Sequence, residues 1–243
     1  MIAGRLLARG MIAGCIAAAL AFVFARIFGE PQVDLAIAFE AARHGAEAHP
    51  HMAEAEPVSR AVQASYGLLT AIVLYGTAFG GLFSLVFAYA YGRLNTWSPR
   101  ALALLLAGAG FLVFVLVPDL KYPPNPPAVG TPATLAFRTG TYFAMIGLSV
   151  SVAVIATLVG HALTRARGAW SGSLWGAGLF LVLMVVVQSA MPDVNEVPAG
   201  FPALVLWRFR EASIGMQLVL WSSMGLLFGA LAERALASAP RRR

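Results

Sequence analysis

Residues 66–92 read YGLLTAIVLYGTAFGGLFSLVFAYAYG, and this uncharged run decides the fold of the chain. The hydrocarbon core of a bilayer is about 30 Å thick, so a helix needs about 20 apolar residues to cross it. The run exceeds that length without one acidic or basic side chain. Composition agrees, since 59% of the 243 residues are hydrophobic, 12% are charged and the mean hydropathy is +0.77. The sequence therefore predicts an integral membrane protein.

Five more apolar stretches lie on either side of this run. The predicted spans are 11–28, 66–92, 100–117, 139–163, 171–190 and 213–233. Long outer loops at 29–65, 118–138 and 191–212 alternate with short inner connections at 93–99 and 164–170. A water-soluble domain of this size cannot bury so much apolar surface. We predict an all-α, polytopic transmembrane helical bundle of about six spans, forming a single transmembrane domain over residues 1–243.

The distribution of charge predicts the orientation of the bundle. With the N-terminus in the cytoplasm, the inner segments hold ten Lys and Arg residues and the outer loops hold six. Basic residues near span ends resist translocation, so the richer side is cytoplasmic. Ten of the eleven acidic residues then fall outside. We predict that both termini are cytoplasmic and that the protein lies in a bacterial inner (cytoplasmic) membrane. The net charge of +6 then faces anionic lipid rather than nucleic acid.

Two features of the first span leave alternatives open. Arg5 and Arg9 precede an apolar run with small residues at Ala19-Leu20-Ala21, as in a cleaved signal peptide. Cleavage would leave five spans in the same orientation. The first span is also one of four that carry a Gly-x-x-x-Gly pattern, which allows close helix packing. The pattern is typical of packing within a bundle, and a homo-oligomer or a partner helix is the alternative.

The outer loops are predicted to be structured. Residues 121–127 read KYPPNPP, and four prolines in seven residues make a stiff, extended segment. Each outer loop ends in an Arg ahead of the next span, at Arg60, Arg138 and Arg210. Their surroundings read EPVSRAVQASYG, TPATLAFRTGTY and WRFREASIGMQ, which indicates either a faint three-fold repeat or chance similarity. Arg and Trp in the last passage are typical of a helix start at the membrane interface.

The first outer loop is a candidate metal-binding segment. Its imidazole and carboxylate groups, which suit divalent transition metals, are His44, His49, His51, Glu47, Glu54 and Glu56. The alternative is a solvated acidic loop with incidental histidines. In either case the sequence predicts no permanently bound cofactor.

The outer ends of the spans carry a second group of polar residues. They are Asp119, Asn125, Asp193, Asn195, Glu196, Arg208, Arg210 and Gln217. Ionisable groups near hydrocarbon usually pair with one another or line a polar cavity. The group is therefore either an outer vestibule for a cation or a set of ion pairs that holds the loops together.

Common catalytic signatures are absent from the sequence. There is no GxxxxGK[ST] phosphate-binding loop, no HExxH metalloprotease helix and no GxSxG nucleophile elbow. The single cysteine, Cys15, excludes an intramolecular disulfide and a CxxC metal site. We expect the protein not to be an enzyme.

Four passages identify a family that the chain resembles over essentially its full length. They are FGEPQVD at 28–34, VSRAVQ at 58–63, LKYPPNPPAVG at 120–130, and NEVP at 195–198 followed by WRFR at 207–210. With these strings the chain resembles the CbtA family of cobalt transporter subunits. The resemblance implies a role in cobalt uptake together with a small one-span partner, CbtB, that carries a histidine motif.

Two functions follow as hypotheses. The first is a membrane subunit of a Co²⁺ uptake system for cobalamin biosynthesis, with Co²⁺ as the transported ion and the acidic, His-containing outer face collecting it. The second is a membrane scaffold or assembly protein that does not transport and whose rigid outer loops bind a partner.

Overall fold

The computed structural model describes residues 2–46, 58–93 and 97–237, and these contain helices, turns and connecting segments but no β-strand. The α-helices are α1 (Ile2–Phe24), α2 (Glu30–Ala46), α3 (Arg60–Val62), α4 (Leu68–Ala90), α5 (Pro99–Phe111), α6 (Val117–Lys121), α7 (Leu135–Ala190) and α8 (Ala203–Ala237). Three π-helical segments, Ala25–Gly29, Gln63–Gly67 and Leu112–Leu116, join α1 to α2, α3 to α4 and α5 to α6. A 3₁₀ turn, Pro132–Thr134, precedes α7.

Five of the resulting continuous helices are long and apolar enough to cross a membrane. They are Ala3–Arg43, Arg60–Ala90, Pro99–Lys121, Pro132–Ala190 and Ala203–Ala237. Each of the six apolar stretches predicted from the sequence falls on one of them. The described residues therefore confirm the predicted all-α character and the presence of helices long and apolar enough to cross a membrane.

The fourth and fifth predicted spans share α7, which is interrupted at Gly168. This glycine has φ 83° and ψ 162°, values that a helix does not contain. The two parts of α7 then approach each other closely through glycines. A Cβ placed on Gly160 would lie 3.0 Å from the carbonyl oxygen of Gly172 and 3.3 Å from the Cα of Gly176. Residues 135–167 and 169–190 thus form a helical hairpin, although the sequence predicted a short loop at 164–170.

The helices reach further into the predicted outer loops than hydropathy indicates. Within loop 29–65, α2 continues to Ala46 and the next helix begins at Arg60. Within loop 191–212, α8 begins at Ala203. Hydropathy marks where apolar side chains end, whereas a helix ends where its backbone hydrogen bonding ends. Segments such as EAARHGA at 40–46 are polar but favour a helix, so the helices extend beyond the apolar stretches, and the loop boundaries stay a prediction.

The chain divides into two compact units. The first unit comprises Met1–Phe111, Pro126–Ala128 and Pro202–Arg243, and the second comprises Leu112–Asn125 and Val129–Phe201. The single domain expected from the sequence stays a prediction.

Helix crossings in the first unit depend on glycine. Helices α1 and α4 meet at two Gly-x-x-x-Gly patterns, where a Cβ on Gly14 would lie 2.9 Å from the Cα of Gly80. A Cβ on Gly76 would lie 2.9 Å from the carbonyl oxygen of Gly14. Helices α5 and α8 also pack together, and a Cβ on Gly229 would lie 3.1 Å from the Cα of Arg100. The patterns here serve packing within the chain.

The second unit is built around one apolar cluster. Its buried members are Val117, Tyr122, Met145, Val152 and Met184. They come from the segment around α6 and from both parts of the α7 hairpin. The cluster therefore fixes the C-terminal end of the Pro99–Lys121 helix against that hairpin.

Two of the three π-helical segments precede a proline by the same distance. Pro31 and Pro118 each lie two residues after the end of a π segment, Ala25–Gly29 and Leu112–Leu116 respectively. Proline has no N–H, and its ring clashes with the carbonyl of the preceding turn. A wider π turn relieves that clash without ending the helix. Nothing in the sequence explains the third segment, Gln63–Gly67.

Candidate functional site

Most of the predicted metal-binding loop lies outside the described residues. Glu47, His49, His51, Glu54 and Glu56 belong to this part of the chain, so their role stays a prediction. His44 lies near the end of α2. Within residues 2–46, 58–93 and 97–237, no group of three or more His, Cys, Asp or Glu side chains could hold a metal ion.

A charged cluster in the first unit joins the start of α2 to the start of α3. Arg60 forms ion pairs with Glu30 and with Asp34, whose Oδ1 accepts a hydrogen bond from Arg60 Nε at 3.1 Å. Glu30 and Asp34 lie one helical turn apart and therefore face the same side of α2. Glu30 is 6% exposed, and the Arg60 guanidinium is the cationic group that compensates its burial.

Sequence reasoning missed Glu30 and Asp34 as site residues, although a signal was present. Both belong to FGEPQVD, while Arg60 belongs to VSRAVQ, and both strings carry the family resemblance. Hydropathy places these residues in one long loop, so it gives no reason to pair them.

The residues of the predicted cation vestibule are divided between the two units. Arg208, Arg210 and Gln217 lie on α8 in the first unit, where Arg208 is exposed and the other two are half-buried. Asp119, Asn125, Asp193, Asn195 and Glu196 belong to the second unit, with both asparagines exposed.

In the second unit, Lys121 and Tyr122 bind the loop that follows α7. Lys121 Nζ lies 2.5 Å from Asp193 Oδ1, and the Tyr122 hydroxyl donates to the Pro192 carbonyl at 2.8 Å. Gln188 Nε2 donates to the Val117 carbonyl at 3.1 Å. Because Asp193 is 93% exposed, its ion pair contributes little stability by itself. The buried Tyr122 ring and its hydrogen bond fix the loop.

Glu196 makes a second connection between the segments that precede and follow α7. Its Oε2 accepts a hydrogen bond from the Thr131 N–H at 2.9 Å and lies 3.3 Å from Arg138 Nε. The Thr134 hydroxyl hydrogen bond, the Thr131 N–H and the positive charge of Arg138 lower the pKa of the Glu196 carboxyl. Glu196 is therefore held as a carboxylate that anchors the segment before α7.

Gly130 makes the position of Arg138 possible. It has φ 111°, a conformation that a residue with a side chain rarely adopts. A Cβ at this position would also lie 2.6 Å from the Arg138 Nη2 atom. The last residue of LKYPPNPPAVG therefore provides both the turn and the space for the guanidinium.

Asp119 differs from the other two acidic residues of the second unit. It is half-buried near the end of α6, and it makes no hydrogen bond or ion pair with any described residue. No described residue gives Asp119 a cationic partner of the kind that Asp193 and Glu196 have.

The strings that carry the resemblance thus meet in space. FGEPQVD and VSRAVQ are joined by Arg60 in the first unit. LKYPPNPPAVG is joined to the region of NEVP by Lys121, while Thr131, the residue after the string, binds Glu196 in the second unit.

Comparison with known proteins identifies the family of the chain. No curated protein and no solved structure matches the chain. The model of the CbtA family, described as a probable cobalt transporter subunit, matches residues 3–233. With nearly the whole chain covered and five membrane-length helices present, the protein belongs to the CbtA family, a family of multi-pass membrane transporter subunits.

Proposed function

We propose that this chain is the membrane subunit of a Co²⁺ uptake system and that its acidic outer face collects the cation. The family match over residues 3–233 carries the proposal. The enrichment of acidic residues in the segments assigned to the outside supports it, because such a surface raises the local concentration of a divalent cation.

The proposal includes six membrane crossings with both termini in the cytoplasm. Helix Pro132–Ala190 has 59 residues, which correspond to about 88 Å of helix, far more than one crossing requires. The break at Gly168 divides it into two parts that are each long enough to cross. The basic residues Arg165 and Arg167 lie at this break, as expected for a cytoplasmic turn.

A second protein belongs to the proposed system. The family is one of transporter subunits, which implies an assembly. We propose that the partner is a small one-span protein resembling CbtB and that the imported cobalt serves cobalamin biosynthesis.

Cobalt accumulation tests the proposal. Cells that lack their own cobalt importers would express the chain alone, the one-span partner alone, or both, with radioactive Co²⁺ supplied at limiting concentration. We expect saturable accumulation with both proteins and less with either alone. Accumulation at the level of the empty vector in all three strains would overturn the proposal.

A membrane scaffold is the second candidate, and the connections in the second unit favour it. Lys121 with Asp193, and Arg138 with Glu196, neutralise two outer carboxylates while holding two loops together. A scaffold would need such a rigid surface and no cation. Copurification of a partner, without Co²⁺ binding by the purified chain, would support this candidate over transport.

A further inference from the structure

We propose that the turn of the α7 hairpin binds the phosphate groups of anionic phospholipids in the leaflet that it faces. The turn comprises Arg165 and Arg167, the break at Gly168, and Trp170. The proposal rests on one part of the proposed function, namely that α7 crosses the membrane twice. It does not depend on the transported ion.

The first step is the charge of this turn. The Arg165 and Arg167 side chains are exposed, and neither forms an ion pair with a residue that the structure describes. Between Asp119 and Asp193 the sequence contains no acidic residue, so the hairpin has no carboxylate of its own to offer them. An anion that neutralises the two guanidinium groups therefore has to come from outside the hairpin.

The second step is a contrast with two other arginines of the predicted inner side. Arg100 Nη2 lies 2.6 Å from Glu233 Oε2. Arg93 Nη1 donates a hydrogen bond to the Tyr89 carbonyl at 2.8 Å, and its guanidinium carbon lies 5.0 Å from the centre of the Tyr89 ring. These two arginines use partners within their own chain, whereas the turn of the α7 hairpin presents its guanidinium groups to the surroundings.

The third step is the depth of the turn in the membrane. Residues 169–190 correspond to about 33 Å of helix at about 1.5 Å per residue, and the hydrocarbon core is about 30 Å thick. The second part of the hairpin has almost no spare length, so its first residues lie at the boundary of the hydrocarbon. Arg165 and Arg167 come just before that boundary and therefore lie at the depth of the lipid headgroups.

The fourth step is the pair of indole rings beside the arginines. Trp170 is 78% exposed and Trp175 is 57% exposed. The guanidinium carbon of Arg167 lies 5.9 Å from the centre of the Trp175 ring, which places this cation beside an apolar surface. Indole rings favour the membrane interface, and guanidinium groups bind phosphate through paired N–H donors. A phospholipid offers an apolar part to the rings and a phosphate to the arginines, whereas a soluble anionic protein offers only the charge.

Fluorescence of Trp170 reports which lipids lie next to the turn. The full-length chain would be reconstituted into phosphatidylcholine vesicles that contain a minor share of phosphatidylglycerol. Bromine atoms high in the acyl chains of one lipid or the other would quench nearby indole rings, and the difference between the wild type and Trp170→Phe isolates the signal of Trp170. We expect quenching by brominated phosphatidylglycerol to exceed the share of that lipid about fivefold or more, because each basic residue near an anionic surface contributes about that factor.

Three double variants, each with its own Trp170→Phe reference, identify the groups responsible. Arg165→Gln/Arg167→Gln should reduce quenching by phosphatidylglycerol to the share of that lipid in the vesicle. Arg165→Lys/Arg167→Lys keeps the charge and should keep most of the enrichment. Arg93→Gln/Arg234→Gln is the matched control, because it removes the same charge at two exposed arginines of the predicted inner side. This control should show the enrichment of the wild type at Trp170.

Two outcomes overturn the proposal. One is quenching in the wild type that only matches the share of phosphatidylglycerol, which would leave an anionic protein as the occupant. The other is equal enrichment in the wild type and Arg165→Gln/Arg167→Gln. If that variant does not reconstitute, salt decides, because attraction between exposed charges is screened at high ionic strength. Enrichment in the wild type that is unchanged at high salt also counts against the site.

The same data separate this proposal from the path of α7. If neither brominated lipid quenched Trp170, the turn would not lie at the membrane, and the double crossing would fall together with the lipid site. Unselective quenching by both lipids would leave the double crossing standing and remove the lipid site alone. Cobalt accumulation is measured in cells and is independent of both results.

Discussion

At the scale of single residues, the second unit contains three acidic side chains in different environments, although two of them have similar sequence surroundings. Asp119 and Asp193 both follow a proline, in Val117-Pro118-Asp119 and Met191-Pro192-Asp193. The first lies within a helix and has no ion-pair partner among the described residues, while the second lies in a loop and pairs with Lys121. Glu196 is held by a backbone N–H as well as by a cation.

We expect the stability of the folded protein to depend on pH through the ionisation of Glu196. Its pKa is lowered in the folded protein, so ionised Glu196 stabilises the fold at every pH above the ordinary glutamate value of 4.5. This contribution is lost as the pH falls below that value and through the lowered pKa. We expect Glu196→Gln to unfold at a lower temperature than the wild type near neutral pH, with the two melting temperatures converging in acid. A difference that is constant with pH would contradict this role.

We expect that adding one methyl group at Gly130 lowers the stability of the protein. Gly130→Ala places a side chain at φ 111° and against the Arg138 guanidinium. Backbone strain alone should cost about 1–3 kcal/mol of stability, measured by chemical unfolding in detergent. Gly178→Ala is the matched control in α7, because nothing lies within 4 Å of its Cβ position. The control should be neutral or stabilising by up to about 1 kcal/mol, and equal effects of the two changes would contradict the explanation.

At the scale of elements, helix ends and helix crossings are fixed by contacts that hydropathy does not report. Helix α2 continues past the apolar part of the first span, and Arg60 ties its first turn to the start of α3. Prolines inside two long helices are accommodated by π turns, so the helices continue where proline would otherwise end them. The first and third predicted spans are therefore parts of longer continuous helices.

We expect a large loss of stability when the positive charge of Arg60 is removed. Arg60→Gln leaves the 6%-exposed carboxylate of Glu30 without a cation, and removing one partner of a buried pair costs roughly 3–5 kcal/mol. We expect a clear fall in folded yield and in melting temperature. The double variant Arg60→Gln/Glu30→Gln should recover part of the loss, since it also removes the buried charge. If Arg60→Gln were as stable as the wild type, water rather than Arg60 would compensate the negative charge of Glu30.

At the scale of the whole molecule, the distribution of basic residues predicts the topology. Phosphatase fusions ending at Gly45, at Gly168 and after the C-terminus would be compared in intact cells. We expect activity only at Gly45, because the inner segments are richer in arginine. Activity at Gly168 would contradict the proposal that α7 crosses the membrane twice, and inactivity at Gly45 would contradict the orientation.

The sequence by itself determined that this chain is a helical membrane protein, because apolar length is a local property that adds up along the chain. It also identified the CbtA family from short strings, and it named Asp119, Asp193 and Glu196 as candidates. It did not reveal that the helices extend into the outer loops, since a polar segment can still form a helix when tertiary contacts cover part of it.

Only the tertiary structure decided which charged groups compensate one another. Lys121 and Asp193 are 72 positions apart, and Glu196 lies 65 positions from Thr131. Folding brings these pairs together and leaves Asp119 without such a partner among the described residues. The energy of a carboxylate depends on the cations and donors within a few ångströms of it, and that neighbourhood is set by the packing of the helices rather than by the order of residues.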